Sequence, residues 1–470
     1  MPVDSSAQDP SIHSALLEAL RRIVGDSGVL VDPSSQERYG RDETEDLHFP
    51  HLAVVLPRTT EEVSGVLALA HAEALPVTPR GGGTGLAGGA LPVHGGLVLG
   101  VERLDRIRTI DRRDMVVEVE TGVTTGDLQR AVEEQGLFYP PDPASRDSCL
   151  LAGNLANDSA GPRSCKYGST RRWVLGLEAV LADGTVLHTG GRNRKDVAGY
   201  DLTQLLVGSE GTLAVLTAAT LRLIPKPTET LTLLLPFPEL EEAAAFVEQI
   251  FVAGHGPSAC ELMEEAALEA VGRTMPLPDA LTGHRALIIL ELDGHDAETL
   301  LEEAGAIGDL AAQHEGGEPI AAQDAAGERR LWAIRRQVGK AVKGRSVYKE
   351  ADTVVPRSKL AELVKAARNA ANRQDLEAIC YGHAGDGNLH VNILRGNLAA
   401  ERWAAARDAA EAELFERVLD LGGSITGEHG VGLVQRRYLP ARVGDASMAL
   451  QRQLKAVFDP KGILNPGKIF

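Results

Sequence analysis

Pro79-Arg80-Gly81-Gly82-Gly83-Thr84-Gly85-Leu86-Ala87-Gly88-Gly89 carries a GxGxxG spacing at Gly83, Gly85 and Gly88, with Glu102 about where a ribose-binding acid would stand. A nicotinamide-type fingerprint needs a helix opening at that loop, so that the pyrophosphate meets the helix N-terminus. Here the chain runs on through Pro92, Gly95 and Gly96 into an apolar strand, and no room is left for the helix. That excludes the doubly wound nicotinamide fold. Consecutive glycines still let backbone N–H groups converge on an anion, and Arg80 adds a charge beside them. The loop reads as a dinucleotide pyrophosphate cradle built from backbone.

A plain flexible turn is the simpler reading of such a loop taken alone. It loses ground when Gly153-Asn154-Leu155-Ala156-Asn157-Asp158-Ser159-Ala160-Gly161 and Val207-Gly208-Ser209-Glu210-Gly211-Thr212-Leu213 are added. Small residues again permit close backbone approach, and the Asn154 and Asn157 amides can donate and accept toward a planar heterocycle.

Outward from the loop, Val63, Val66, Leu67, Leu69 and Ala70 recur at helical spacing over 59–73, and 76–79 reads as a short strand. Strands follow over 96–101, 107–111 and 115–121. Thr124 or Thr125 caps a helix that Gly136 stops. Pro225 and Pro227 mark a domain boundary. Beyond them, strand signals over 231–236, 286–292 and 378–394 alternate with helical patterns over 240–253, 297–314, 358–373 and 400–421. This predicts an antiparallel sheet with helices on one face. The expected division is an N-terminal helical segment over 1–45, a cofactor domain over 46–226, a substrate domain over 227–425 and a C-terminal segment over 426–470.

A chain of 470 residues is long enough for two or three domains, since single cores rarely grow past about 250–300 residues. A formal charge of −18, with no compensating Lys/Arg run, excludes a nucleic-acid binder. The first thirty residues, with Asp4, Asp9 and Glu18, lack a basic segment followed by an apolar one, which argues against a secretory signal. No apolar run reaches the roughly 20 residues that span a bilayer. Cys149, Cys165, Cys260 and Cys380 show no CxxC spacing, so neither a disulfide framework nor an iron–sulfur cluster is indicated, and a cytoplasmic location is expected.

Tyr381-Gly382-His383-Ala384-Gly385-Asp386-Gly387-Asn388-Leu389-His390-Val391-Asn392, followed by Glu428-His429-Gly430, offers three metal ligands and a fourth ionisable group. A lone histidine among glycines is more often an ordinary loop residue. Here Leu389, Val391 and Ile393 alternate with His390 and Asn392, which puts the latter two on one strand face. Two imidazoles and the Glu428 carboxylate would leave a coordination position open, the mark of catalytic rather than structural metal.

Taken in order, PRGGGTG, GNLANDSAG, GSEGTL, GHAGDGNLH, GEHG and the terminal FDPKGILNPGKIF resemble the FAD-linked D-2-hydroxy acid dehydrogenases. These are flavoproteins of the vanillyl-alcohol oxidase or PCMH superfamily, among them D-lactate dehydrogenase, D-2-hydroxyglutarate dehydrogenase and the flavin subunit of glycolate oxidase. The likeness runs over roughly residues 35–470. It implies an α+β fold: a two-lobed PCMH-type FAD domain, then an antiparallel-sheet substrate domain with covering helices, and a final segment returning to the flavin. Arg80, Gly81, Gly82, Gly83, Thr84 and Gly85 match the pyrophosphate cradle. Pro141, Asp142, Ser148, Gly153, Asn154, Asn157, Ser159 and Gly161, with Glu210, Gly211 and Asn465, match positions lining FAD.

The same resemblance implies that His383, His390 and Glu428 hold a divalent metal, zinc first, with manganese and iron also suited to such ligands. It implies that His429 is the catalytic base, that Arg335 grips the substrate carboxylate and that Asn392 is a further substrate contact. A lysine of the hydroxyglutarate branch has no secure counterpart, because Lys349 sits one place out of register, and Gly339 replaces a hydroxyl residue of that branch.

The expected reaction is oxidation of a D-2-hydroxy acid to the 2-oxo acid. One metal chelates the substrate's carboxylate and hydroxyl, neutral His429 removes the hydroxyl proton, and the Cα hydride passes to flavin N5. The diffuse acidity of the chain does not oppose an anionic substrate. Charges beyond the Debye length of about 8 Å are screened, whereas a guanidinium about 4 Å from a carboxylate contributes on the order of 4 kcal/mol at an effective dielectric of 20, before desolvation. The alternatives are a metal-independent flavin alcohol or sugar oxidase, and a flavin subunit acting mainly as an electron-transfer partner. Which hydroxy acid is used stays open in the sequence. So do the electron acceptor, whether quinone, cytochrome or electron-transfer flavoprotein, and a homodimeric state.

Overall fold

A computed structural model describes residues 10–322 and 324–470. Residues 1–9, which the expected N-terminal segment and the signal-peptide reading include, lie outside the described residues. The chain divides into two compact units, one comprising 1–160, 169–226 and 428–470, the other 161–168 and 227–427.

The first unit holds two main sheets. In one, Ala53–Val55, Leu97–Gly100 and Val77–Arg80 run parallel, with Val29–Leu30 antiparallel at the edge. In the other, all antiparallel, the order is Ile107–Asp111, Val116–Glu120, Val215–Arg222, Val174–Val180 and Val186–Gly190. Helices Pro10–Val24 and Thr60–Ala72 bury Leu20, Val24, Val63, Val66 and Leu67 in a core shared with Leu97, Leu99, Val180 and Val215. Thr59 and Thr124 act as N-caps, accepting from Glu62 N at 3.2 Å and Asp127 N at 3.1 Å, so both helices begin where a hydroxyl can satisfy an orphan amide. The C-terminal tail completes this core. Val77 N donates to Ile463 O at 2.8 Å, Asn465 N donates to Val77 O at 2.7 Å, and Leu464 is wholly buried.

The second unit is built on a seven-stranded antiparallel sheet, ordered Ile320–Ala321, Glu229–Phe237, Ala286–Gly294, Ala259–Glu264, Glu377–Gly382, Asn388–Leu394 and Tyr348–Val354. The expected 378–394 strand is thus two strands, parted by a turn at Ala384–Asp386. Helices on one face was also too simple. Helices Glu265–Gly272 and Ala325–Lys343 cover the face bearing Leu234, Met263, Ile289 and Tyr381. On the opposite face, the Phe237 ring packs at a tilt against Phe246 of helix Leu240–Val252, with centroids 5.0 Å apart. Burial on both sides explains why Ala286–Gly294 reads as a nearly unbroken apolar run instead of an alternating one. No helix among the described residues is long and apolar enough to cross a membrane.

Candidate active site

In the first unit the glycine loop forms the wall of a cleft that Arg80, Gly81, Gly82, Gly83, Thr84 and Gly85 line together with Gly153, Asn154, Asn157, Ser159, Glu210 and Gly211. Gly82 must be glycine: a Cβ there would stand 2.7 Å from the Ser148 carbonyl oxygen. Ser148 therefore backs the loop, while Pro143, Ala144 and Ser145 reach the cleft in place of Pro141, Asp142 and Ser148. Asn465 also lies off the wall, and Gly161 belongs to the second unit. The Arg80 guanidinium is not simply aimed at an anion. It donates to the carbonyls of Arg41 at 2.7 Å and Arg38 at 3.4 Å, and so braces the loop that the glycine amides complete. The two asparagine amides likewise have internal partners, Asn154 donating to Thr125 Oγ1 at 2.5 Å and Asn157 to the His429 carbonyl at 3.3 Å.

Glu428 and His429 line the same cleft. Glu210 holds the segment that carries them, since its carboxylate accepts from Val431 N at 2.8 Å and Gly432 N at 2.6 Å. The Glu210 carbonyl accepts from Asn465 Nδ2 at 2.7 Å, so Asn465 acts by tying the C-terminal tail to this clasp. Burial pushes the Glu210 carboxyl up to about 7, although the two amides and Lys468 pull the other way. A carboxyl whose folded pKa is raised stabilises the fold below its unfolded pKa near 4.5, and that contribution is lost as pH rises through 7. The loss amounts to roughly 3 kcal/mol. Glu210→Gln is therefore expected to flatten the fall in melting temperature between pH 5 and 8. An unchanged pH slope would contradict this assignment.

In the second unit His383, His390, Asn392 and Arg335 converge on one sheet face. The His383 and His390 rings meet edge to face with centroids 5.3 Å apart, both side chains being nearly buried. Glu261, wholly buried on strand Ala259–Glu264, joins two of the expected site residues. Its Oε1 lies 2.6 Å from His383 Nδ1, and its Oε2 accepts from Arg335 Nε at 2.5 Å. Burial would raise the Glu261 carboxyl, but His383 and Arg335 more than offset it and hold it at about 2. Glu350 Oε1 stands farther from the other imidazole, 3.6 Å from His390 Nδ1, an ion-pair distance longer than a hydrogen bond. A carboxylate bonded at Nδ1, as on His383, makes that nitrogen the proton-bearing one and gives the lone pair to Nε2, the arrangement usual for metal-ligating histidines. Asn392 is fully buried with neither end of its amide in a well-formed hydrogen bond, although the Tyr381 hydroxyl is near enough to feel it.

Asp352 closes this face, accepting from Asn388 Nδ2 at 2.7 Å, Thr426 Oγ1 at 2.8 Å and Gly427 N at 2.7 Å. It pins the chain at the residue before Glu428. Glu261 escapes a motif-based reading because it stands inside a largely apolar strand, and Glu350 and Asp352 because they alternate with Lys349, Ala351 and Thr353 in a strand that carries no glycine motif. An isolated acid inside an apolar run, as in Ala259-Cys260-Glu261-Leu262-Met263, is the signal that could have found Glu261.

The sequence matches the FAD binding domain family over residues 51–190 and the C-terminal domain of the FAD linked oxidases over 226–469. It is 39% identical to the glycolate oxidase subunit GlcD of Bacillus subtilis, over 92% of each chain. It is 34% identical to a D-lactate dehydrogenase of Anaerostipes hadrus, over 94% of each, and 34% identical to a D-2-hydroxyglutarate dehydrogenase of Xanthomonas citri, over 98% of this chain and 97% of that one. The fold is that of p-cresol methylhydroxylase, with a TM-score of 0.82 at 18% identity over 99% of this chain and 98% of that one. A backbone cradle with the FAD-binding signature, followed by the oxidase C-terminal domain, places the chain in the FAD-linked oxidase family as an FAD-dependent oxidoreductase.

Proposed function

We propose that the protein oxidises a D-2-hydroxy acid to the corresponding 2-oxo acid, using FAD and a divalent metal. The observation that carries this reading is Glu261, one buried carboxylate that orients both an imidazole and a guanidinium. Those are the two groups needed to hold the hydroxyl and carboxylate ends of such a substrate. The names of the relatives support the same substrate class.

In this reading His383 and His390, through Nε2, and Glu428 hold the metal, for which two imidazoles and a carboxylate suit zinc, manganese or iron. Arg335 pairs with the substrate carboxylate, and Asn392 takes up a substrate oxygen with its buried amide. His429 removes the hydroxyl proton as the Cα–H bond breaks. When bound, a metal would supply positive charge for the substrate hydroxyl and FAD would supply the two-electron acceptor. The backbone of the 81–85 loop takes the FAD pyrophosphate.

The test is anaerobic bleaching of the flavin absorbance by a panel of D- and L-2-hydroxy acids. Rapid bleaching by D-acids, with L-acids inert, is expected. Bleaching by simple alcohols or phenols instead would favour a metal-independent oxidase.

A further inference from the structure

Arg172, Arg194 and Arg222 gather at one end of the antiparallel sheet of the first unit, and none of them lines the cleft. Strand Val215–Arg222 begins on the cleft wall with Val215 and Leu216. At about 3.3 Å per residue, Arg222 stands roughly 20 Å farther along it. The neighbouring strand Val174–Val180 pairs antiparallel, with Val174 opposite Leu221, which brings Arg172 and Trp173 to the same end. The Arg222 guanidinium lies over the Trp173 ring, 4.5 Å from its centroid. The exposed loop after strand Val186–Gly190 adds Arg194, whose Nη2 donates at 3.4 Å to the carbonyl of Leu223, next in the chain to Arg222.

Carboxylates would normally neutralise such a cluster. In a chain with 66 Asp and Glu against 48 Lys and Arg there is no shortage of them. Yet Asp111 and Glu118, on the adjoining strands, are engaged by Arg192 at 3.4 and 2.8 Å. Among the described residues no carboxylate pairs with Arg172, Arg194 or Arg222. Arg222 Nε is buried and meets no acceptor. Burial lowers the Arg222 pKa, and the Arg194 and Arg172 guanidiniums lower it further. Arginine nevertheless keeps its proton, so like charges are held together here. The indole face of Trp173 steadies the Arg222 guanidinium and leaves its in-plane N–H groups to an acceptor.

We propose that Arg172, Arg194 and Arg222 form a binding site for a phosphoryl group, separate from the flavin cleft. A phosphoryl group brings roughly two negative charges and three acceptor oxygens, whereas a single carboxylate brings one charge to the same cluster. Its carrier is a soluble phosphorylated metabolite or the headgroup of an anionic phospholipid. Val197 and Tyr200, 89% and 97% exposed on the loop that carries Arg194, bear on the second source, because an aromatic and an aliphatic side chain beside cations suit a lipid interface.

Calorimetric titration of the FAD-loaded protein with inorganic phosphate and pyrophosphate, at constant ionic strength, tests the soluble source. With FAD in place the glycine cradle is already filled. Co-flotation with vesicles of phosphatidic acid in phosphatidylcholine, against phosphatidylcholine alone, tests the lipid source. Saturable binding is expected in at least one arm, and Arg194→Gln and Arg222→Met should each weaken it roughly ten- to a hundredfold, the weight of one charge-assisted hydrogen bond. Arg194 is exposed and its replacement leaves the Trp173 contact intact, so the test stands even where Arg222→Met folds poorly. Substrate-driven flavin reduction should be unchanged in Arg194→Gln. Binding in the calorimeter alone assigns the soluble phosphate, and binding to vesicles alone assigns the headgroup. No saturable binding in either arm, binding that neither substitution weakens, or acetate binding as tightly as pyrophosphate would each overturn the proposal.

Discussion

His429→Ala is expected to keep FAD bound and to slow flavin reduction by substrate about 10²- to 10⁴-fold, the usual contribution of a positioned base. The side chain can be removed without loosening the segment, because that segment is held through its main chain. The His429 carbonyl accepts from Asn157, and the amides of Val431 and Gly432 donate to Glu210. Gly432 adopts φ 48° with its Cα so close to the Ala87 carbonyl that a Cβ would stand 2.2 Å from the oxygen, a fit that only glycine allows. His429 lines the cleft of the first unit, and with its main chain tied to Asn157 the imidazole is the group left to act as a base. Single-turnover reduction under anaerobic conditions separates the two roles. Loss of rate with an unchanged flavin spectrum supports base catalysis, and added imidazole should restore part of it. An undiminished rate would remove His429 from the mechanism.

Local chemistry made much of the first unit readable from sequence. Thr59 and Thr124 announce helix starts because a hydroxyl at that position is worth about 1 kcal/mol to an orphan amide. The absence of a helix after Gly89 rejects the nicotinamide fold without any knowledge of the sheets. The second unit was harder where its order depends on distant partners. Helix Ala325–Lys343 is rich in Ala, Arg and Lys, which favour helix, but Gly339 in its interior costs it about 1 kcal/mol and its many charges leave only a narrow apolar stripe. Its apolar stripe of Leu331, Ile334 and Val338 is fixed by packing on Met263, Ile289 and Tyr381.

The same limit applies to the site. His383, His390, Glu428 and His429 can be picked out because glycines crowd around them in short motifs. Glu261 lies 122 residues from the histidine it orients, and nothing in the spacing links the two. Arg80 shows the converse. Its place in the glycine motif suggests a phosphate contact, yet the donors it spends on Arg38 and Arg41 make it chiefly a brace for the loop. Motif membership identified the neighbourhood of these residues, while the direction of each side chain was decided by partners elsewhere in the chain.

Removing divalent ions is expected to abolish flavin reduction by substrate while dithionite still reduces the flavin, and adding back zinc or manganese should restore it. The ligand set alone does not make this prediction strong, since histidines near acids are common. Its weight comes from the state of Glu261. The carboxyl is wholly buried, yet it is held by two partners, with Oε1 2.6 Å from His383 Nδ1 and Oε2 accepting from Arg335 Nε, and the Arg335 charge favours the ionised form that accepts from His383 Nδ1. An imidazole held in that way is aligned and made more basic at Nε2, and loss of such a partner typically weakens metal binding by about 10- to 100-fold. Glu261→Gln keeps the size and one acceptor oxygen but removes the charge. It should therefore lower metal retention by that factor and weaken substrate binding through Arg335, without emptying the flavin site. Metal content after dialysis against graded chelator, measured beside flavin content, reads both effects. Full activity in protein stripped of metal would refute the assignment of His383, His390 and Glu428. Metal retention equal to wild type in Glu261→Gln would show that the buried carboxylate serves the fold or Arg335 alone.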